Sequence, residues 1–277
     1  MRHTGAGTTR TIPNEKYGHE LVRSWFPAAD PAARIVALHG GAEYSGRYEV
    51  TGELLAGAGF EVHCPDLFGF GESGGARRAY VEEWNDYFDQ VQAHIEEAAG
   101  AKPETPVVLF GHSMGGLIAL GYLFSERPQP DLVVLSAPFL HGGAAWQRLL
   151  AGPLAAIAPT VALPNNLNGS WLSRDPEVAE LYFADPLVIT STTARLGNYM
   201  FKAQKAARET LDRLRVPTLV VQGGADRIVS PESTAVLGDL PSVERRLYPK
   251  LRHEIFNESE GPDLVEEVVE WLRGQLA

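Results

Sequence analysis

The chain alternates between two hydrophobic periods. Short apolar runs at residues 34–38, 60–64, 107–110, 131–136 and 218–222 have the length and branched side chains of buried strands. Between them, residues 48–58 have helical character, and Val81, Trp84, Phe88, Val91, Ile95 and Ala98 recur at steps of three and four, which describes one face of a helix. A final face, Leu264, Val265, Val268, Val269 and Leu272, follows Pro262. Strands alternating with helices imply a parallel sheet covered on both sides, an α/β architecture. Residues 17–26 read as a further strand with half-buried alternation, and 245–248 as the last.

The rhythm breaks after Phe139 and does not return until about residue 213. This interval holds Trp146, an apolar run at 149–163 broken by Pro153 and Pro159, an Asn165-Asn166-Leu167-Asn168-Gly169 stretch and a helix-like piece at 177–183. It contains no second series of buried strands, so the expected organisation is a core of residues 17–139 and 213–277 interrupted by a helical cap at 140–212. Residues 1–16 form a polar lead-in segment, disordered or extended. The apolar run has three readings: cap core, pocket wall, or a lid that touches a membrane.

Composition narrows the partners. The 277 residues carry 35 acids against 24 bases, a formal net charge of -11, which disfavours nucleic acid and strongly anionic membranes. The single cysteine, Cys64, excludes an internal disulfide and reads as a small buried hydrophobe. Neither a metal site nor a cofactor is expected. Residues 1–10 lack the apolar core of a signal peptide and no run is long enough to span a bilayer, which makes the cytoplasm the default location.

The candidate chemistry sits where strands end. Residues 107–120 read as strand, Gly111-His112-Ser113-Met114-Gly115 turn, and helix, a geometry that lifts Ser113 onto the N-terminal end of a helix. His39-Gly40-Gly41 follows another buried strand and suits the second half of an oxyanion hole or, equally, a plain tight turn. Asp226 and His253 each lie just past a predicted strand. Parallel strands deliver their C-terminal ends to one edge, so Ser113, Asp226 and His253 can converge as nucleophile, orienting acid and general base. The N–H groups of Gly41 and Met114 would hold the oxyanion. His39, His63 and His112 compete for the base role, but His39 and His112 are embedded in the turns. Asp66 reads as a loop anchor, and Glu43 with Arg47, taken alone, as a solvated surface pair.

With these stretches in hand, the sequence resembles the monoacylglycerol lipases, a group of lysophospholipase-like and serine-aminopeptidase-like α/β-hydrolases. The resemblance rests on residues 39–48, 66–73, 111–116, 172–175, 185–187, 222–227 and His253-Glu254. It implies an α/β-hydrolase fold, the triad Ser113, Asp226 and His253, and oxyanion donors at Gly41 and Met114. It also implies a polar network of Glu43 and Arg47 around a glycerol end. Ala42 and Tyr44 depart from the family loop, which usually carries glycine and histidine there. The cap's Leu149, Leu150, Leu154, Ile157, Val161 and Leu163 are expected to line an acyl site, with Glu43, Arg47 and Asn257 meeting hydroxyls. The expected reaction is hydrolysis of a monoacylglycerol, a small-molecule lipid ester, with at most transient membrane contact through the cap. Alternatives are a lysophospholipase, a short-chain carboxylesterase, or a non-catalytic binding protein of the same fold. The sequence leaves the oligomeric state open.

Overall fold

The computed structural model describes residues 7–277. Its centre is an eight-stranded sheet, built from β1 (Thr8–Asn14), β2 (Gly18–Trp25), β3 (Arg34–Leu38), β4 (Glu61–Pro65), β5 (Val107–His112), β6 (Leu132–Ser136), β9 (Thr218–Gly223) and β10 (Val243–Tyr248). The spatial order is β1-β2-β4-β3-β5-β6-β9-β10. The first two strands pair antiparallel, β2 runs antiparallel to β4, and the remaining strands are parallel.

The apolar strands alternate between two cores because successive side chains point to opposite faces. Val36 and Leu38 of β3 join Val107 and Leu109 of β5 on one side; Ile35, Ala37, Val108 and Phe110 face the other. The first face is covered by α2 (Asn85–Ala101) and α3 (Met114–Leu123), the second by α1 (Glu49–Gly57) and α8 (Gly261–Leu276). The predicted face of α8 is buried at all five positions. Each such side chain removed from water contributes roughly 1.5–3 kcal/mol before ordering costs.

Two expectations needed adjustment at the N-terminal side. The lead-in segment takes its extended alternative: Thr8 to Asn14 form β1, paired with β2 along its whole length. The residues before Gly7 lie outside the described residues. The predicted 81–98 helix begins only at Asn85, because the Asp86 carboxylate accepts from Glu83 N at 2.9 Å and from the Tyr17 hydroxyl, fixing a turn there. Val81 is nevertheless fully buried and Trp84 packs on the same core.

Between β6 and β9 the chain leaves the sheet. It forms α4 (Ala145–Ile157), strand β7 (Ala162–Pro164), α5 (Pro176–Ala184), strand β8 (Ser191–Thr193) and α6 (Ala194–Thr210), with β7 and β8 making a small antiparallel ribbon. A short helix, α7 (Pro231–Ala235), follows β9. The insertion is held at several points: Phe139 N donates to Ser113 O at 2.9 Å, Ile189 N to Ala42 O at 2.8 Å, and Glu254 N to Leu172 O at 2.8 Å. By contrast α4 buries none of its residues and contains Pro153. Among the described residues no helix is long and apolar enough to cross a membrane.

Candidate active site

The turn after β5 is as tight as its glycines require. Ser113 has φ +51° and ψ -112°, a conformation that non-glycine residues seldom adopt. A β-carbon on Gly115 would stand 2.3 Å from Leu38 O, and one on Gly111 2.7 Å from Gly115 O. The strain is held from both sides, since Ser113 N donates to Ser136 O at 2.9 Å while its carbonyl accepts from Leu117 N and Phe139 N. Ser113 therefore sits at the N-terminus of α3, where unpaired N–H groups and the helix dipole favour negative charge.

Asp226 lies in the loop after β9. Its Oδ1 accepts from Ile228 N at 2.8 Å and Val229 N at 2.9 Å, and Oδ2 accepts from Gln222 Nε2 at 2.9 Å. Oδ2 also meets His253 Nδ1 at 2.7 Å. Both residues are buried. Burial pulls the His253 imidazole down, but the Asp226 carboxylate outweighs it, so the ring is raised above its ordinary value. Ser113 and His253 line one cavity of about 330 Å³, together with Gly41 and Met114.

The competing histidines are engaged elsewhere. His39 is fully buried, with Nδ1 against Gly40 O at 2.7 Å and Nε2 accepting from Leu67 N at 2.9 Å. His112 also faces the cavity, its ring 4.8 Å from that of His253, but burial and that neighbour push it down to about 4, which keeps it neutral. His63 lies on β4, hydrogen-bonded to Ser24 and Glu61. Asp66 anchors its loop as expected, accepting from Ser45 N and Glu72 N.

A buried ionic cluster lies beneath the cavity. Glu43 Oε1 accepts from Gly40 N at 2.6 Å and from Tyr48 Oη at 2.7 Å, and Oε2 meets Arg47 Nε at 3.1 Å. Arg47 also reaches Glu254 Oε2 at 2.5 Å, and its guanidinium stacks 4.6 Å from the Tyr182 ring centre. Burial raises both acids, yet the Arg47 guanidinium brings Glu43 below its ordinary value, while Glu254 stays above its own. One guanidinium between two buried carboxylates favours ionising one more than the other.

This arrangement corrects several expectations. Glu43 lines the main cavity, but Arg47 and Asn257 do not; they line a small hole of about 20 Å³ below it, and Asn257 Nδ2 donates to Glu254 Oε2. The surface-pair reading of Glu43 and Arg47 fails because both are buried in one network. Leu149 and Ile157 are 76% and 85% exposed, Leu154 is only partly covered, and none of the three lines the cavity. They lie on α4, which buries none of its residues, whereas the apolar lining comes from Phe70, Phe139, Trp171, Leu196 and Met200. Ala42 takes φ +74°, where the family loop has glycine, and Tyr44 Oη donates to Asp185 Oδ2 at 2.6 Å, tying this loop to the insertion.

Residues 29–260 match the family described as serine aminopeptidase, S33. The chain belongs to that family. It is 32% identical over 266 residues to a monoacylglycerol lipase of Mycolicibacterium smegmatis, covering 91% of this chain and 92% of the relative. It is 33% identical to phospholipase YtpA of Bacillus subtilis, covering 87% and 95%. Among solved structures, the Paleococcus ferrophilus monoacylglycerol lipase superposes with a TM-score of 0.81 at 30% identity, over 92% of this chain and 98% of that one. The fold of this S33-family chain is thus the α/β-hydrolase fold, with Ser113, Asp226 and His253 at the C-terminal edge of its parallel strands.

Proposed function

We propose that the chain is a serine ester hydrolase that cleaves monoacylglycerols to glycerol and fatty acid through an acyl-enzyme. The reading rests on one observation above the rest: a buried Asp226–His253 hydrogen bond and the strained Ser113 turn face one cavity. Ser113 attacks the ester carbonyl while His253 Nε2 takes its proton and returns it to the leaving glycerol alkoxide. Asp226 holds the Nδ1–H tautomer and favours the imidazolium that forms. The N–H groups of Gly41 and Met114 carry the oxyanion, and Glu43 braces the first of these through Gly40 N. Water then adds to the acyl carbonyl as His253 takes its proton, the acyl carbon–Oγ bond breaks, His253 returns the proton to Ser113 Oγ, and the fatty acid leaves.

The substrate class is supported by the relatives named monoacylglycerol lipase, and by a cavity with an apolar wall and polar groups at Glu43, His112 and Asn165. In this reading residues 140–212 act as a cap over Ser113, and the exposed Trp146, Leu149 and Ile157 of α4 meet the lipid aggregate transiently. A lysophospholipid is the second reading, favoured by the relative named a phospholipase.

The test pairs fluorophosphonate labelling with hydrolysis of monoacylglycerols, a diacylglycerol, a lysophosphatidylcholine and p-nitrophenyl butyrate. Labelling of Ser113 and fast release from monoacylglycerols are expected, with Ser113→Ala folded and inactive. If Ser113 labels but only the short ester is cleaved, the mechanism stands and the substrate fails. An unlabelled, inactive protein would return the chain to a binding role.

A further inference from the structure

Beside the main cavity lies a second recess of about 210 Å³ in which four cations, Arg174, Arg227, Lys250 and Arg252, form much of the wall. Arg227 and Trp171 line both spaces, so the two are neighbours. The recess is built from three segments: the loop after β9 that carries Asp226, the loop after β10 that carries His253, and the insertion before α5. No carboxylate lines it.

The cations differ in how far they are neutralised. Arg174 pairs with Glu258 at 3.1 Å and with Glu260. Arg252 donates through Nη1 to the carbonyl of Ser173 at 2.8 Å, which orients it without cancelling its charge. Among the described residues, Arg227, Lys250 and Arg252 have no carboxylate at ion-pair distance. In a chain of net charge -11, acids are plentiful enough that three unneutralised cations around one recess are conspicuous. Their mutual repulsion is relieved by an anion shared among them. Guanidinium forks and an ammonium around one space suit a tetrahedral oxyanion, which offers several acceptors at once.

We propose that this recess holds the phosphate group of a lysophospholipid whose acyl ester lies in the main cavity. The inference rests on the acyl-hydrolase reading above and specifies a charged headgroup that the site accepts. The chemistry is unchanged: water adds across the acyl ester, the acyl carbon–oxygen bond breaks, and the glycerol phosphate leaves with the proton supplied by His253. No bond to phosphorus is made or broken. The negative overall charge of the protein does not oppose this, because the recess supplies the opposite sign locally.

Calorimetric titration of the Ser113→Ala protein tests the site without turnover. The probes are lysophosphatidic acid and monoacylglycerol of one medium acyl chain, both below their micelle thresholds, and inorganic phosphate. Lysophosphatidic acid should bind about tenfold more tightly than the neutral lipid, the size of one charge-assisted hydrogen bond at the low end of its range. Lys250→Gln should remove roughly fivefold of that and Lys250→Glu more, while monoacylglycerol binding to the Ser113→Ala protein and monoacylglycerol hydrolysis by the protein that retains Ser113 stay unchanged, since Lys250 does not line the main cavity. Equal affinity for the two lipids, or a Lys250→Gln effect common to both, overturns the proposal. Inorganic phosphate binding as tightly as the lysolipid also overturns it, because the recess then serves the free ion. If the Ser113 protein hydrolyses neither lipid while the binding contrast holds, the hydrolase reading fails and the anion site stands.

Discussion

Replacing Arg47 by methionine keeps the volume of the side chain and deletes the only charge that separates Glu43 from Glu254 in the buried cluster. The guanidinium is 10% exposed and the two carboxylates 5% and 6%, so little solvent screens the loss. Removing one partner of such a buried ion pair costs about 3–5 kcal/mol, because the remaining charges are stranded. In a chain of this size each kcal/mol moves the melting temperature by roughly 2–4 °C, giving a drop on the order of 10 °C. The sign with pH follows from the acids. Glu43, held below its ordinary value in the native protein, contributes stability above that value and loses it as pH falls. In Arg47→Met both carboxylates are pushed up, so the variant's penalty is full at about pH 8 and shrinks toward about pH 5 as they take protons. Thermal melts at the two pH values measure the gap. Activity should fall mainly in kcat, since Glu43 also holds the Gly40 N–H beside Gly41, the proposed oxyanion donor. A melting temperature within a degree or so of wild type, or a gap that does not narrow with acid, would refute the reasoning.

Asp226→Asn should leave the fold intact and lower kcat by about 10⁴, because the amide no longer selects the Nδ1–H tautomer. In the native protein kcat/KM should rise with pH through an apparent value above 6.5, the raised value of His253, and Asp226→Asn should move that limb to lower pH; an unmoved limb would mean that another group titrates. Ala42→Gly should stabilise by up to about 1 kcal/mol, since relief of a left-handed alanine exceeds the entropy that glycine adds to the unfolded chain, and a lower melting temperature would contradict this.

Much of the sheet was legible because β3, β5, β6 and β9 are buried on both faces and write themselves as continuous apolar runs. Strand β1 was not, because as an exposed edge its Thr-Thr-Arg-Thr-Ile-Pro sequence needs no apolar face and is held by pairing with β2. Helix α6 was missed for a related reason: its buried positions include Ala194, Gln204 and Ala207, too small or too polar to mark a stripe. The Ser113, Asp226 and His253 positions could be read because each follows a strand, and strand ends converge. The ionic cluster could not, since Arg47 and Glu254 are separated by 207 positions and no local pattern links them. The misplaced acyl lining shows a limit of hydrophobicity as a signal: it marks a segment with affinity for apolar surroundings and does not say which surface meets it. Trp171 and Phe139 line the cavity from a single helical turn and an irregular segment, where an isolated aromatic carries no periodicity.

The insertion's points of attachment divide its freedom to vary. Residues 171–172 are hydrogen-bonded to the His253 and Glu254 backbone, and Phe139 to that of Ser113, so a change of length or shape there would be transmitted to Ser113 and His253. Helix α4 has no such tie to Ser113 or His253 and no buried side chain. Drift in α4 can therefore change the apolar surface that the protein shows to its surroundings while the geometry at Ser113 and His253 stays fixed, and one scaffold can diverge in habitat without being rebuilt at its centre.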